Sequence, residues 1–93
     1  MLEQFPRSQR FLLGDRLQNL ALDTMEVLVE ATYTKAPADA LRRVNLKLEQ
    51  QRLMVRLAYN LRFLNADRYE FACRKLDEIG RGVGGWLRRM RPA

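Results

Sequence analysis

Residues 40–64, ALRRVNLKLEQQRLMVRLAYNLRFL, decide the fold that this sequence predicts. Two apolar stripes run along this stretch at helical spacing. The first stripe consists of Leu41, Val44, Leu48, Val55 and Ala58. The second stripe, about a third of a turn away, consists of Leu46, Leu53, Leu57, Leu61 and Leu64. A helix with one apolar stripe can lie on a core, whereas a helix with two stripes needs neighbours on both flanks. The stretch therefore predicts the inner helix of a bundle.

Basic side chains stand between and beside the two stripes. They are Arg42, Arg43, Lys47, Arg52, Arg56 and Arg62. Arg52 and Arg56 are four residues apart, which places them one turn above each other on the same face of a helix. This pair is the first candidate for a functional surface.

The totals favour one small, basic domain spanning residues 1–93. The formal net charge is +6, and 14 of the 17 cationic residues are arginine. Arginine presents a planar fork that suits phosphate and carboxylate groups. Such a balance predicts nucleic acid, an acidic protein or an anionic surface as the partner, with a merely soluble basic bundle as the alternative.

The residues needed for catalysis are missing from the sequence. There is no histidine, and the single cysteine, Cys73, has no base to activate it. No metal-ligand cluster stands out either, so we predict no catalytic residue, no metal, no cofactor and no enzyme activity. No apolar run approaches the roughly 18 residues of a membrane span, and the first ten residues do not form a signal peptide. A cytoplasmic, soluble protein is the expectation.

Helix signals on either side of the central stretch complete the predicted fold. Ser8 is a good helix cap, and the predicted helices cover about 9–33, 37–63 and 66–89, with Pro37 and Asn65 at the second and third starts. The first helix has a main stripe (Leu13, Leu17, Leu20, Thr24, Leu28, Ala31) and a flanking one (Leu22, Met25, Val29). Short connections between long helices make antiparallel neighbours, so the fold class is an all-α antiparallel bundle.

The segment GRGVGGW, residues 80–86, needs its own explanation. Gly80, Gly82 and Gly85 match GxGxxG, but no strand precedes them, which excludes a dinucleotide loop. The stripe continues through Val83, Trp86, Leu87 and Met90, which favours an unbroken helix over one that ends at Gly80. Gly80 and Gly84 share a face, where another backbone could approach closely.

The end of the chain carries arginines without balancing acids. Arg74, Arg81 and Arg88 are seven residues apart and line up along one side of a helix, with Arg89 beside them. They are either cations placed favourably near a helix C-terminus or a strip of phosphate contacts. Composition alone leaves both interpretations open.

Three stretches, FPRSQRFLLGDRL (5–17), NLKLEQQRLMVRLAYNLRFL (45–64) and DEIGRGVGGWL (77–87), resemble the accessory variability determinant (Avd) proteins of diversity-generating retroelements. More distantly, the chain is similar to the four-helix-bundle proteins encoded in ribosomal RNA intervening sequences. The resemblance implies a four-helix-bundle protomer, a basic homopentamer and no chemistry of its own. It also implies binding to the retroelement's reverse transcriptase and to nucleic acid, including template RNA, during mutagenic retrohoming.

Carried over to this chain, the resemblance singles out Arg52, Arg56 and Arg81 as contacts to the polymerase or the nucleic acid. Gly80, Gly85 and Trp86 would be structural. Family members usually have a further helix before the FPR segment, and this sequence has almost nothing there, so we expect a partly uncovered groove. A purely structural oligomerisation module and a protein of the intervening-sequence type are the alternatives.

Overall fold

The computed structural model describes residues 7–90 and folds them into an all-α helical bundle. Helix α1 spans Arg7–Tyr33, α2 spans Pro37–Asn60 and α3 spans Ala66–Arg89. The all-α fold class predicted from the sequence is confirmed. Among the described helices, none is long and apolar enough to cross a membrane.

The starts of α2 and α3 follow the predicted signals. Pro37 opens α2 after Ala36, which has a non-helical backbone (φ −125°, ψ 74°), and Asp39 lies in the first turn, where the helix dipole favours negative charge. The Asn65 side chain accepts a hydrogen bond of 2.8 Å from the Arg68 backbone N–H and so caps α3. The predicted cap at Ser8 is wrong, because α1 already includes Arg7 and Ser8 lies inside the helix.

Helix α2 ends three residues before the predicted end at residue 63. Arg62 adopts a left-handed backbone conformation (φ 66°). The Arg62 N–H donates to the Tyr59 carbonyl (3.0 Å), and the Phe63 N–H donates to the Ala58 carbonyl (2.8 Å). This pair of bonds is a Schellman motif, which closes a helix and turns the chain. The apolar periodicity continues through the turn, which is why the sequence predicted a longer helix.

Helix α2 lies at the centre, and α1 and α3 each pack antiparallel to it. Thr24 of α1 meets Gln51 of α2, while Tyr69 of α3 stacks on Tyr59 of α2. No Cα of α1 comes within 8 Å of a Cα of α3. The molecule is therefore an elongated arrangement of 55 × 21 × 18 Å in which α1 and α3 are held together through α2.

The first stripe of α2 forms the core. Leu41, Val44 and Leu48 are at most 1% exposed, and Val55 and Ala58 are also buried. Val27 and Ala31 of α1 and Leu76 and Val83 of α3 complete the buried cluster. This part of the sequence prediction is confirmed.

Three of the five leucines of the second stripe are exposed in the described part of the chain, whereas Leu61 and Leu64 are half-buried and Leu64 packs against the core. Leu46, Leu53 and Leu57 are 60%, 69% and 47% exposed. Helix α2 has α1 and α3 as neighbours, as expected of an inner helix, and both pack on the side of the first stripe. The partly uncovered groove expected from the sequence lies along Leu46, Leu53 and Leu57. The flanking stripe of α1, Leu22, Met25 and Val29, is exposed as well.

A buried polar pair joins α1 and α2 inside the core. The Gln51 Nε2 donates to Thr24 Oγ1 (2.8 Å) and to the Lys47 carbonyl (3.2 Å), and Thr24 Oγ1 donates to the Leu20 carbonyl (2.7 Å). Both residues are buried, and within residues 7–90 no buried side-chain nitrogen or oxygen lacks a hydrogen-bond partner, so the pair fixes the register of the two helices without a buried unsatisfied group.

Candidate functional site

Arg52 ties α2 to α3. Its guanidinium forms ion pairs with Glu49, one turn earlier on α2, and with Asp77 of α3 (Nε to Oδ1, 3.4 Å). The Nη2 atom also lies 3.5 Å from the Leu76 carbonyl oxygen. The side chain is 31% exposed. Two carboxylates thus hold Arg52 in place, and its charge is largely compensated.

Gly80 provides the space for this arginine. A Cβ atom at residue 80 would lie 2.9 Å from Arg52 Nη2 and 3.9 Å from Leu48 Cδ1. The sequence predicted that glycines 80 and 84 would let another backbone approach. Within the described residues, the space next to Gly80 is filled by side chains instead. The prediction that the helix continues through the glycine segment is confirmed, since α3 extends to Arg89.

A cleft of about 400 Å³ opens between α2 and α3 beside this ion-pair network. Arg81 and Arg88 of α3 line it together with Arg52, as does the Asn45 side chain of α2. Arg81 and Arg88 are both exposed. The structure therefore places three of the candidate arginines in one cleft, whereas Arg74, the third member of the seven-residue series, does not line it.

The guanidinium groups of Arg88 and Arg89 lie next to Gly84 and Gly85, one turn earlier on α3. A Cβ at residue 84 would lie 3.6 Å from Arg88 Nη1, and a Cβ at residue 85 would lie 3.6 Å from Arg89 Nη1. Both guanidinium groups thus reach back over bare helix backbone. Trp86 is half-buried and packs against the core, in agreement with a structural role.

A second group of candidate cations faces acidic side chains. Arg43 and Lys47 line a groove between α1 and α2 together with Asp23 and Glu26. Arg43 is also paired with Glu30, and this hydrogen bond is the largest cause of the raised pKa of the Arg43 guanidinium. Arg42 is paired with Asp39 (2.9 Å). This groove is electrostatically mixed, so it suits an anionic ligand less well than the α2–α3 cleft.

Arg56 stands apart from these networks. It is exposed, and no acidic side chain of residues 7–90 forms an ion pair with it. Nearby, the rings of Tyr59 and Tyr69 stack with centroids 4.3 Å apart. A hydrogen bond with Cys73, followed by burial, raises the pKa of Tyr69 above its ordinary value of 10.0. The folded chain thus favours the neutral phenol, a contribution present below pH 10 and lost as the pH rises through the raised pKa.

Two further expectations concern surface ion pairs, because the sequence spacing predicts that Glu49 pairs with Arg52 and that Glu78 pairs with Arg74 or Arg81. Glu78 was predicted to pair with Arg74 or Arg81, but it pairs with Lys75 (3.6 Å), which is three residues earlier on the same helix. The pairing of Glu49 with Arg52 is confirmed. In the part of the chain that the structure describes, no group of three or more acidic or cysteine side chains could hold a metal ion.

Two residues that line the α2–α3 cleft, Asn45 and Asp77, were not predicted as site residues from the sequence. Asn45 precedes Arg52 by seven residues and therefore shares its face, a signal that was available in the sequence. The pairing of Asp77 with Arg52 depends on how α3 docks on α2, which no local pattern reveals.

Comparison with known proteins gives one family. The family model described as bAvd-like matches residues 1–90. No curated protein and no solved structure matches the chain. Because the family match covers almost the whole sequence, it includes all three helices and both walls of the α2–α3 cleft. The chain therefore belongs to the bAvd-like family and is an Avd-type accessory protein.

Proposed function

We propose that this protein is a non-catalytic accessory subunit of a diversity-generating retroelement, which binds the element's reverse transcriptase and nucleic acid in the cytoplasm. The observation that carries the proposal is the set of exposed arginines on α2 and α3, within a chain of the bAvd-like family. Between residues 7 and 90, Arg56, Arg81 and Arg88 form no ion pair with an acidic side chain. Unpaired guanidinium groups are suited to phosphate groups and to carboxylates of a protein partner.

The exposed leucines of α2 support assembly as part of this function. Leu46, Leu53 and Leu57 lie along one face of α2 and are exposed. Contiguous exposed apolar surface of this kind marks an interaction site. We therefore include self-association, a pentamer by family resemblance, in the proposal. A purely structural oligomerisation module remains the second candidate, because this stripe favours it independently of the arginines.

Single substitutions of Arg52 and Arg56, which sequence spacing places on one helix face, test the proposal. Arg56→Ala should weaken binding of single-stranded RNA or of the reverse transcriptase without changing stability, because Arg56 has no ion pair within residues 7–90 to lose. Arg52→Ala should instead cost about 1 kcal/mol of stability, because it removes the ion pairs between α2 and α3. Arg16→Ala on α1 is the matched control for the loss of one exposed arginine.

The measurements are fluorescence anisotropy with labelled RNA, a pull-down with the reverse transcriptase encoded next to the gene, and urea denaturation. The proposal is supported if the wild type binds RNA and if Arg56→Ala lowers the RNA affinity more than Arg16→Ala does. A wild type that assembles but binds neither RNA nor the polymerase would leave the oligomerisation module as the function.

A further inference from the structure

The cleft between α2 and α3 differs from the rest of the surface in its chemical composition. It measures about 400 Å³, and its walls include Asn45 and Arg52 on one side and Asp77, Arg81 and Arg88 on the other. Three guanidinium groups thus converge on a space that contains one carboxylate. A cleft lined mainly by one sign of charge concentrates ligands of the opposite sign.

The three arginines of this cleft are not equivalent. Arg52 is held by Glu49 and Asp77, so the single carboxylate of the cleft is already engaged. Arg81 and Arg88 form no ion pair within residues 7–90. The cleft therefore combines one fixed guanidinium with two that can donate hydrogen bonds to a ligand.

Gly84 forms the floor of the cleft between Arg81 and Arg88. A glycine inside a helix is destabilising relative to alanine. A Cβ at residue 84 would meet only Arg88 Nη1, at 3.6 Å, which is an ordinary contact distance. Packing within the described chain thus does not require a glycine at this position. What a side chain here would remove is open space in front of the arginines.

We infer that this cleft is a phosphate-binding site and that it takes a single phosphodiester of a nucleic-acid backbone. Arg81 and Arg88 donate to the non-bridging oxygens, and the Asn45 amide donates from the opposite wall, where Arg52 is held in place by Glu49 and Asp77. Gly84 lets the phosphate reach the helix surface. The inference rests on the proposed function, since it assigns one phosphate contact of the bound nucleic acid to this cleft.

The first test compares two double variants that remove the same charge. Arg81→Gln with Arg88→Gln should weaken binding of a single-stranded RNA by about tenfold at fixed ionic strength, because both phosphate donors are lost. Arg7→Gln with Arg16→Gln removes two exposed arginines from α1, outside the cleft, and should weaken binding by about twofold at most. Equal losses in the two variants would mean diffuse attraction and would overturn the inference.

The second test fills the cleft without changing its charge. Gly84→Leu places a side chain on the floor, whereas Gly82→Leu is the control because a Cβ at residue 82 has nothing within 4 Å. Both replace a helical glycine by a good helix former, so both should raise helix stability. Only Gly84→Leu should weaken RNA binding, by about fivefold or more given the loss of a close phosphate contact.

A third measurement distinguishes a bound phosphodiester from a free anion. Inorganic phosphate is titrated into the isotope-labelled protein, and the Asn45 side-chain amide and the Gly84 backbone amide are followed by NMR. Shifts confined to these groups, together with RNA binding that depends on Arg81 and Arg88, support the inference.

Two other outcomes overturn it in distinguishable ways. RNA binding that is unchanged by the cleft variants rejects the cleft while the proposed function stands. Phosphate shifts at Asn45 and Gly84 in a protein that binds no RNA would identify a site for small anions, and would reject both the phosphodiester assignment and the proposed nucleic-acid function.

Discussion

Arg62 occupies a backbone position that helix ends normally give to glycine. Its φ of 66° lies in the left-handed region, where a side chain costs about 1 kcal/mol. Arg62→Gly should therefore raise the free energy of unfolding by about 0.5–1 kcal/mol, whereas Arg62→Ala should not raise it, because alanine keeps the strain. Urea denaturation of the two variants checks this. A glycine variant no more stable than the alanine variant would argue against the Schellman closure of α2.

The hydrogen bond between Gln51 and Thr24 is the second feature at residue scale. Thr24→Val should cost about 1–2 kcal/mol, because it leaves a buried amide hydrogen of Gln51 without its acceptor. Adding Gln51→Leu should restore part of that loss, since both polar partners are then gone. A double-mutant cycle by chemical denaturation gives the coupling energy. Strictly additive effects of the two substitutions would mean that the hydrogen bond does not form in solution.

A leucine-to-alanine substitution should destabilise the folded chain in the first stripe of α2 but hardly in the second. Leu41 is fully buried, so Leu41→Ala should cost about 2–5 kcal/mol. Leu53 is 69% exposed, so Leu53→Ala should change the stability of the single chain by about 0.5 kcal/mol or less. If the second stripe also contacts another subunit, Leu53→Ala should lower the mass of the assembly in solution. Leu41→Ala should mainly lower the melting temperature.

Denaturation at low protein concentration and light scattering at high concentration separate these effects. The mass of the wild type in solution should be a multiple of the 11.0 kDa chain mass. The family resemblance leads us to expect about five chains. A wild type that stays a monomer at all concentrations would contradict assembly through the second stripe.

Helical periodicity predicted most of the fold because one face of each helix really is buried. The stripe from Leu41 to Ala58 and the continuation of α3 through the glycines both follow from the spacing of apolar residues. The end of α2 was not predicted because nothing in the sequence indicates that Arg62 adopts a left-handed rather than a helical backbone conformation. Periodicity also identified the second stripe as an apolar face, but it does not say which chain buries that face.

The candidate site was predictable only in part. Sequence spacing put Arg81 and Arg88 on one face of α3, and the structure brings that face against Arg52 and Asn45. The compensation of Arg52 by Asp77 depends on the packing of α3 on α2, so a prediction from spacing treated Arg52 and Arg56 as equals. The cleft assigned to phosphate emerged from the three-dimensional arrangement.

At the scale of the whole molecule, charge is distributed unevenly around the central helix. The second half of α1 carries Asp23, Glu26 and Glu30, and this acidic surface faces Arg43 and Lys47 across the α1–α2 groove. On the α2–α3 side, Arg52 is paired with Glu49 and Asp77, whereas Arg81 and Arg88 form no ion pair within residues 7–90. An elongated bundle with one basic side can lie along a nucleic-acid strand while its exposed leucines remain free for protein contacts.

The measurement that tests this account most directly is the affinity of the intact chain for single-stranded RNA as a function of salt concentration. If about three arginines neutralise phosphates, the logarithm of the binding constant should fall with the logarithm of salt at a slope of about −2. Binding should therefore be tight at about 50 mM salt and much weaker at about 200 mM, with little dependence on sequence. An absence of binding at the lower salt concentration would contradict the proposed role of the arginines in nucleic-acid recognition.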